Sequence, residues 1–205
     1  DITLATHAWA DGPSTTSRIA VYDPSGSAQK TLAGRNLPEI ASLDTLDPQT
    51  ALIVGDPAAL AKDPAQAAKL TDFVKAGGRA LLLNPGQSLL TLFPEQVAAY
   101  KAAQGEMATM HIPESPVFDG LEKLDLAWFD RGQGAIPYAS AGRYQIAPNR
   151  GDVAALADQC DLHGYLQSPA DFMKYSGSPL LEIRLGKGRV IASEMMLDAG
   201  GQDPI

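Results

Sequence analysis

The residues able to supply a nucleophile or bind a metal are few in this 205-residue chain. Cys160 and His163 form a C-x-x-H pair, in which the imidazole could activate a thiolate. The same pair could supply two zinc ligands, but no second pair of ligands follows nearby. His7 and His111 are isolated along the sequence. We interpret Cys160 and His163 as a buried thiol and a loop imidazole, and we keep a hydrolase that uses Cys160 as an alternative.

Acidic side chains near the ends of candidate strands are the second possible chemistry. Glu182, Glu194, Asp125 and Asp130 are candidates for the two carboxylates of a glycosidase. The sequence does not show that any two of them face each other, and acids at strand ends usually serve as caps or ion-pair partners. We therefore predict no catalytic residue, no metal ligand and no cofactor in this chain.

Aromatic side chains could stack on the apolar faces of sugar rings. Trp9, Trp128, Phe129 and Tyr138 are the candidates, although each could equally pack in the core. Trp128 and Phe129 are adjacent, so in a strand one of them would face inward and the other outward. We keep Trp128 as a tentative ligand-binding residue.

The clearest elements lie in the middle of the chain. Ala51 to Val54 is a wholly apolar run, typical of a buried parallel strand. Residues 65–76 repeat apolar side chains at helical spacing, and Gly77 is suited to end that helix. Arg79 to Leu83 is a second buried strand, followed by the turn Asn84-Pro85-Gly86-Gln87. The order indicates a strand, a crossover helix and a parallel strand.

Open α/β sheets bind ligands at the carboxyl ends of their strands. Gly55 and Asp56 follow the first of these strands, and Asn84 and Gln87 follow the second. We therefore predict that these four residues line a crevice, which would make the chain a small-ligand or sugar-binding module as an alternative function.

The rest of the chain carries weaker signals. Gly186-Lys187-Gly188 lacks the spacing of a phosphate-binding loop and precedes a strand, so we interpret it as a hairpin turn. The further elements that the sequence predicts are strands at 18–22, 107–112, 155–159, 180–185 and 189–193 and helices beginning at 28–32 and spanning 94–104 and 168–175.

Composition sets the fold class and excludes some partners. Hydrophobic residues make up 45% and charged residues 20%, an ordinary globular balance. We predict one α/β domain over 1–205, with a three-layer, mainly parallel sheet flanked by helices and a C-terminal β-hairpin. The net charge of −8 argues against nucleic acid or an anionic membrane as a partner. There is no apolar run of ~20 residues and no visible signal peptide.

Several of these motifs resemble the class I glutamine amidotransferase-like superfamily, in its flavodoxin-like architecture. They are VYDPSG (21–26), LIVGDP (52–57), LTDFVKAGGRALLLNPG (70–86) and LLEIRLGKGRVIASEMM (180–196). The resemblance implies a Cys at the elbow after a strand, and a His with an acid after a late strand. The turn 84–87 has no Cys, with Pro85 where we expect the nucleophile, and 193–196 has no His. We therefore expect a degenerate, non-catalytic member.

A narrower resemblance rests on residues 115–129 and 160–205. They are similar to the accessory domain near the C-terminal end of large bacterial glycoside hydrolases of family 2, with β-galactosidase-like architecture. The resemblance implies that 1–205 is a piece of a longer multidomain chain, because the sequence stops at Asp203-Pro204-Ile205 where a closing helix is expected. It implies other domains of that chain as partners, with possible carbohydrate binding and homo-oligomerisation, and a periplasmic or secreted location.

Overall fold

The fold is seen in a computed structural model that describes residues 18–29, 31–32, 37–44, 46–105, 107–122, 126, 139–160 and 177–196. In chain order its elements are β1 (Ile19–Tyr22), β2 (Ala51–Val54), α1 (Pro57–Lys62), α2 (Pro64–Lys75), β3 (Arg79–Leu83), α3 (Ser88–Leu92), β4 (Val97–Lys101), β5 (Met107–Met110), β6 (Arg143–Ile146), β7 (Val153–Cys160), β8 (Leu180–Leu185) and β9 (Gly188–Ser193). A short 3-10 turn lies at Pro116–Phe118.

Among the described residues, the main sheet has seven strands in the order β1-β2-β3-β9-β8-β7-β5. The first four pair in parallel, and the last four pair antiparallel. β4 and β6 form a separate antiparallel pair. The predicted α/β fold, with parallel strands at its centre and a C-terminal hairpin made by β8 and β9, is confirmed.

Helix α2 shows why the glycines after it are needed. Asp63 caps its first turn by accepting from the amides of Ala65 and Gln66. At the other end, Gly77 donates to the carbonyl of Val74 and Gly78 donates to that of Phe73. This pair of bonds is the Schellman arrangement, and the positive φ of Gly77 (120°) suits it. The chain therefore leaves α2 in the direction that starts β3.

The hairpin turn between β8 and β9 is docked on this helix end. Lys187 donates its amide to the carbonyl of Lys75. A Cβ built on Gly188 would lie 2.2 Å from the carbonyl oxygens of both Val74 and Gly78. Only a residue without a side chain fits there, so the crossover helix and the C-terminal hairpin are held in register by backbone contact.

Two apolar clusters fill the interior. The larger joins the parallel strands to the helices, and the smaller lies around β5 and β7. Fully buried members of the larger cluster include Leu52, Val54, Leu60, Leu70, Val74, Leu82, Leu89, Leu181 and Ile183, and those of the smaller include Ala108, Ala139, Leu156 and Ala157. Within the described residues, no helix is long and apolar enough to cross a bilayer.

The predicted helix over 94–104 is wrong. Residues 97–101 form strand β4 instead, paired with β6. The Ala- and Gln-rich composition favours a helix, but Val97 is buried and Tyr100 packs on the larger core cluster. This packing outweighs a local preference of a few tenths of a kcal/mol per residue.

Other predicted elements have different boundaries in the structure or lie outside the described residues. Residues 27–29 and 31–32 form turns rather than a described helix, with one bond from the amide of Leu32 to the carbonyl of Ala28. Strand β7 is longer than predicted and includes Cys160, one residue beyond the predicted end of the strand. The predicted helix at 168–175 lies outside the described residues.

The docking of the hairpin on α2 gives a stability prediction. Gly188→Ala should lower the free energy of unfolding by about 1–3 kcal/mol, because the new methyl group meets backbone atoms that cannot rotate away. Urea denaturation measures the change. Gly151→Ala is the matched control, since a Cβ there meets nothing within 4 Å and its effect should stay within about 0.5 kcal/mol. Equal stability of Gly188→Ala and the parent would contradict the backbone docking.

Candidate functional site at the elbow after β3

The turn after β3 has the shape of a nucleophile elbow. Asn84 follows the strand with φ at +46°, Gly86 has φ at +54°, and α3 begins at Ser88. The amide of Asn84 donates to the carbonyl of Ser193 at 2.7 Å, which fixes the turn to the end of β9. A strained strand-to-helix turn is how such elbows present a side chain. The strained residue is Asn84 rather than Pro85, so an amide stands where a thiol or hydroxyl would be needed.

A buried carboxyl group lies directly against this turn. Glu194 is 1% exposed, and its Oε1 accepts a hydrogen bond from the amide of Gly86 at 2.6 Å. The Tyr144 hydroxyl donates to the same oxygen, and the Tyr100 hydroxyl donates to Oε2 at 3.2 Å. The Tyr144 hydroxyl also lies 3.3 Å from the carbonyl oxygen of Gly86. These contacts join the turn, the end of β9 and the β4–β6 pair, and we call them the Glu194 network.

The β4–β6 pair positions the two tyrosines. Tyr100 and Tyr144 are register partners across it, with ring centroids 5.1 Å apart and ring planes inclined by 39°. Gly142 makes room for them, since a Cβ there would lie 2.4 Å from the Tyr100 hydroxyl oxygen. This small sheet therefore covers one side of the elbow.

The backbone of Glu194 is fixed as firmly as its side chain. Its amide donates to the carbonyl of Pro179 at 2.8 Å, and its carbonyl accepts from the amide of Ala141 at 2.9 Å. The main chain that carries the carboxyl group is therefore held at the edge of the sheet, and the hydrogen bonds from Gly86, Tyr100 and Tyr144 hold the carboxyl group itself.

Burial sets the protonation of the network. Burial raises the pKa of Glu194, and the bonds from Tyr144, Gly86 and Tyr100 act in the opposite direction. Burial and the Glu194 charge raise the pKa of Tyr100 to about 12 and raise that of Tyr144 further. Both hydroxyls therefore keep their protons at neutral pH and remain donors. Among the described residues, none of the groups that shift the pKa of Glu194 is a cation.

The hydrogen bonds around Glu194 hold the elbow closed on this side, and they bear on what the carboxyl group can do chemically. A general base must reach the proton of a nucleophile. Glu194 instead faces the amide of Gly86, and three donors occupy its oxygens. Asn84 has no ionisable proton to give. The elbow keeps its backbone shape, with an amide at Asn84 and a hydrogen-bonded carboxyl group at Glu194.

The other side of the elbow opens into a cavity of about 230 Å³. We call it the crevice, and its lining residues are Ser25, Ser27, Ala28, Thr31, Gly55, Asp56, Pro57, Ala58, Leu83 and Asn84. The structure thus brings together three residues predicted for a ligand site, namely Gly55, Asp56 and Asn84. Gln87 is exposed and is not among the lining residues, and Trp128 lies outside the described residues.

Two of the lining residues have structural duties as well. A Cβ on Gly55 would lie 2.6 Å from that of Ala28 and 2.7 Å from Cγ of Asp23, so only glycine lets the two loops meet. Asp56 caps α1 by accepting from the amide of Ala59 at 2.8 Å.

The remaining candidates are scattered. Cys160 ends β7 and pairs with Met107, three strands away from β3 and thus about 14 Å from the elbow. Glu182 is buried and pairs with Arg184 at 2.9 Å. His111 lies 2.7 Å from the carboxylate of Asp158. The candidates that lie outside the described residues are His7, Trp9, Asp125, Phe129, Asp130, Tyr138 and His163.

The two acidic candidates that the structure describes do not form a pair. Glu182 stands opposite Ile191 in the hairpin, three residues from Glu194, which is about 10 Å along a strand. Each carboxyl group has its own partners. The described residues contain no group of three or more His, Cys, Asp or Glu side chains able to hold a metal ion.

Sequence reasoning missed the partners of Glu194 and half of the crevice. Tyr100 and Tyr144 gave no signal, because they lie 94 and 50 residues from Glu194 in the chain. Glu194 itself gave a signal in the sequence, because it is an acid within the apolar stretch 190–196. Ser25 and Thr31 were missed because only the fold brings their loop beside Gly55.

Comparison with known proteins supports the fold. No family model and no curated protein matches the chain. A ThuA-like protein from Bacteroides uniformis has 11% identity and a TM-score of 0.54, over 94% of this chain and 89% of that one. A β-galactosidase from Bacillus circulans sp. alkalophilus has 13% identity and a TM-score of 0.51, over 90% of this chain and 30% of that one.

An exo-β-1,4-mannosidase from Opitutaceae bacterium strain TAV5 has 15% identity and a TM-score of 0.51. It matches 89% of this chain, which spans 32% of the mannosidase. At these identities the likeness is one of fold. The resemblance predicted from the sequence therefore holds at that level, for a ThuA-like protein and for domain-sized parts of glycoside hydrolases.

The raised pKa of Glu194 predicts a pH-dependent difference in stability. The folded state holds this proton more tightly than the unfolded chain, so the stabilisation is complete below the ordinary pKa of 4.5 and falls as pH rises towards the raised value. Glu194→Gln cannot titrate. The unfolding free energy of the parent minus that of Glu194→Gln should therefore decrease as the pH rises above about 4.5.

Urea denaturation at a series of pH values measures this difference. Glu39→Gln removes a carboxylate from an exposed position and is measured in parallel, as a control for the loss of one negative charge. A parent that gains stability over Glu194→Gln as pH rises would show that the hydrogen bonds outweigh burial, and would contradict the expected direction.

Proposed function

We propose that this chain is a non-catalytic, amidotransferase-like accessory domain of a larger carbohydrate-active enzyme of the glycoside hydrolase class. Its role is to pack against other domains of the same protein or to support oligomerisation. One observation carries the proposal: the elbow retains its strained backbone, but Asn84 stands at the exposed position and the Glu194 network fills its other side.

The comparisons support the carbohydrate context. The chain matches about a third of the length of a β-galactosidase and of a mannosidase, as a domain within a longer enzyme would. A match of nearly full length to a ThuA-like protein shows that the same fold also occurs in a chain of similar size. A periplasmic or secreted location, and other domains of the parent as partners, belong to this proposal.

Two alternatives differ in their support. A small-ligand or sugar-binding module is favoured by the crevice, where Gly55, Asp56 and Asn84 meet. A hydrolase using Cys160 has no such support, because Cys160 lies at the end of β7, remote from both the elbow and the crevice.

The accessory role predicts an absence of turnover. The purified 205-residue chain should hydrolyse neither glutamine nor p-nitrophenyl acetate, and neither p-nitrophenyl β-galactoside nor β-mannoside, above the uncatalysed rate. The physical reason is that the strained elbow position holds an amide and the adjacent carboxyl group is saturated with hydrogen bonds.

Cys160→Ser, assayed in parallel, separates the alternatives. Turnover that persists through further purification would overturn the non-catalytic role. If that turnover also disappears in Cys160→Ser, the thiol hydrolase is the correct assignment; if it persists, a different site in the chain is responsible.

A further inference from the structure

The crevice has polar groups that the protein itself does not use. In the described part of the chain, the side chains of Ser25, Thr31 and Asn84 line it without making a hydrogen bond. Asp56 uses Oδ1 to cap α1, and its Oδ2 has no partner among the described residues. The crevice therefore offers hydroxyl and amide donors together with carboxylate and amide acceptors.

Hydrogen bonds join the two loops that form one wall of the crevice. The Asp23 carboxylate accepts from the amides of Ser27 and Ala28 at 3.0 and 2.8 Å, and from the Ser27 hydroxyl at 3.1 Å. The Ser27 hydroxyl also lies 2.7 Å from the carbonyl oxygen of Gly55. These bonds tie the loop after β1 to the turn after β2. A ligand would meet a preformed surface and need order little of the chain.

Charge narrows the class of ligand. None of the described residues that line the crevice is a cation, and Asp56 is an acid. A carboxylate or phosphate ligand would find no Lys or Arg among these described residues to pair with, and Asp56 would repel it. The charge of the crevice therefore disfavours ligands that carry a carboxylate or a phosphate, and a neutral ligand meets no such repulsion.

The volume of the crevice and its polar groups narrow the class of ligand further. A volume of about 230 Å³ lies below the roughly 300–1,000 Å³ typical of drug-sized ligands, and it suits a single small ring. The neighbouring hydroxyl groups of a sugar can both donate and accept hydrogen bonds, which matches the free donors and acceptors of the crevice. No aromatic side chain is among the lining residues that the structure describes, so we expect no stacking contribution from them and a low affinity.

We propose that the crevice between the loops after β1, β2 and β3 is a binding site for a neutral monosaccharide, contacted by Ser25, Thr31, Asp56 and Asn84. The inference extends the proposed accessory role, and it rests on that role only for the choice of a sugar among neutral polyhydroxylated molecules. Binding and catalysis are measured separately, so failure of one proposal is distinguishable from failure of the other.

The test is a titration of the 15N-labelled 205-residue chain with D-galactose, D-mannose and D-galacturonate, followed by amide resonances. We expect saturable shifts at the amides of 25–31, 55–58 and 84 with galactose or mannose, with a Kd on the order of 1 mM. Galacturonate should bind more weakly than galactose, because it differs from galactose by a carboxylate.

Two variants tie any binding to the crevice. Asn84→Gly removes the amide but permits the positive φ, and Thr31→Val removes the hydroxyl at nearly constant volume. Each should weaken binding by roughly three- to tenfold. Asn149→Gly is the matched control, since Asn149 is the other described non-glycine residue with positive φ (60°) and lies outside the crevice. Its Kd should equal that of the parent.

Three results would overturn the inference. They are no shifts at sugar concentrations about tenfold above the expected Kd, shifts that map away from the crevice, and galacturonate binding at least as tightly as galactose. Variants whose spectra show loss of fold are replaced by Ser25→Ala, an exposed position where the removal of a hydroxyl leaves the backbone unchanged.

Discussion

A buried carboxyl group holds together the carboxyl-terminal edge of the parallel strands. Glu194 receives the amide of Gly86 and the hydroxyls of Tyr100 and Tyr144, while its own backbone is bonded to Pro179 and Ala141. Leaving any one buried donor without its acceptor costs about 1–3 kcal/mol. We therefore expect the loss of one contact to weaken the others in the network. The turn after β3, the last residues of β9 and the small β4–β6 sheet are thereby fixed against one another.

The carboxyl-terminal edge of the parallel strands has two sides, which differ in how far side chains fill them. On the side of Glu194, tyrosine rings and hydrogen bonds fill the space next to the turn. On the side of β1 and β2, the loops stay apart and leave the crevice, with Asn84 exposed at the boundary. The edge is therefore filled around Glu194 and open at the crevice, which is where we propose that a small neutral molecule binds.

Local patterns were enough to predict the elements whose reasons are local. The apolar run at 51–54, the helix with its glycine stop and the hairpin around 186–188 are each specified by neighbouring residues, and all three were predicted with boundaries correct to within about two residues. Strand β4 was mispredicted because its conformation is imposed by pairing with β6, which lies 42 or more residues further along the chain.

The candidate site follows the same rule. Gly55, Asp56 and Asn84 could be predicted, because the carboxyl ends of parallel strands meet at one edge. The Glu194 network could not, since Gly86 and Glu194 are 108 residues apart and nothing near either one points to the other. A buried acid such as Glu194 is recognised only when the fold shows which hydroxyl groups surround it.

The central claim is that Glu194 holds the turn after β3 in place, and its most direct test is native-state hydrogen exchange at the amide of Gly86. If Glu194 locks the elbow, this amide should exchange only through global unfolding. Its exchange free energy should then match, within about 1 kcal/mol, the unfolding free energy measured with denaturant. An exchange free energy near zero, with buried amides of β3 still protected, would show that the elbow opens freely and would contradict this claim.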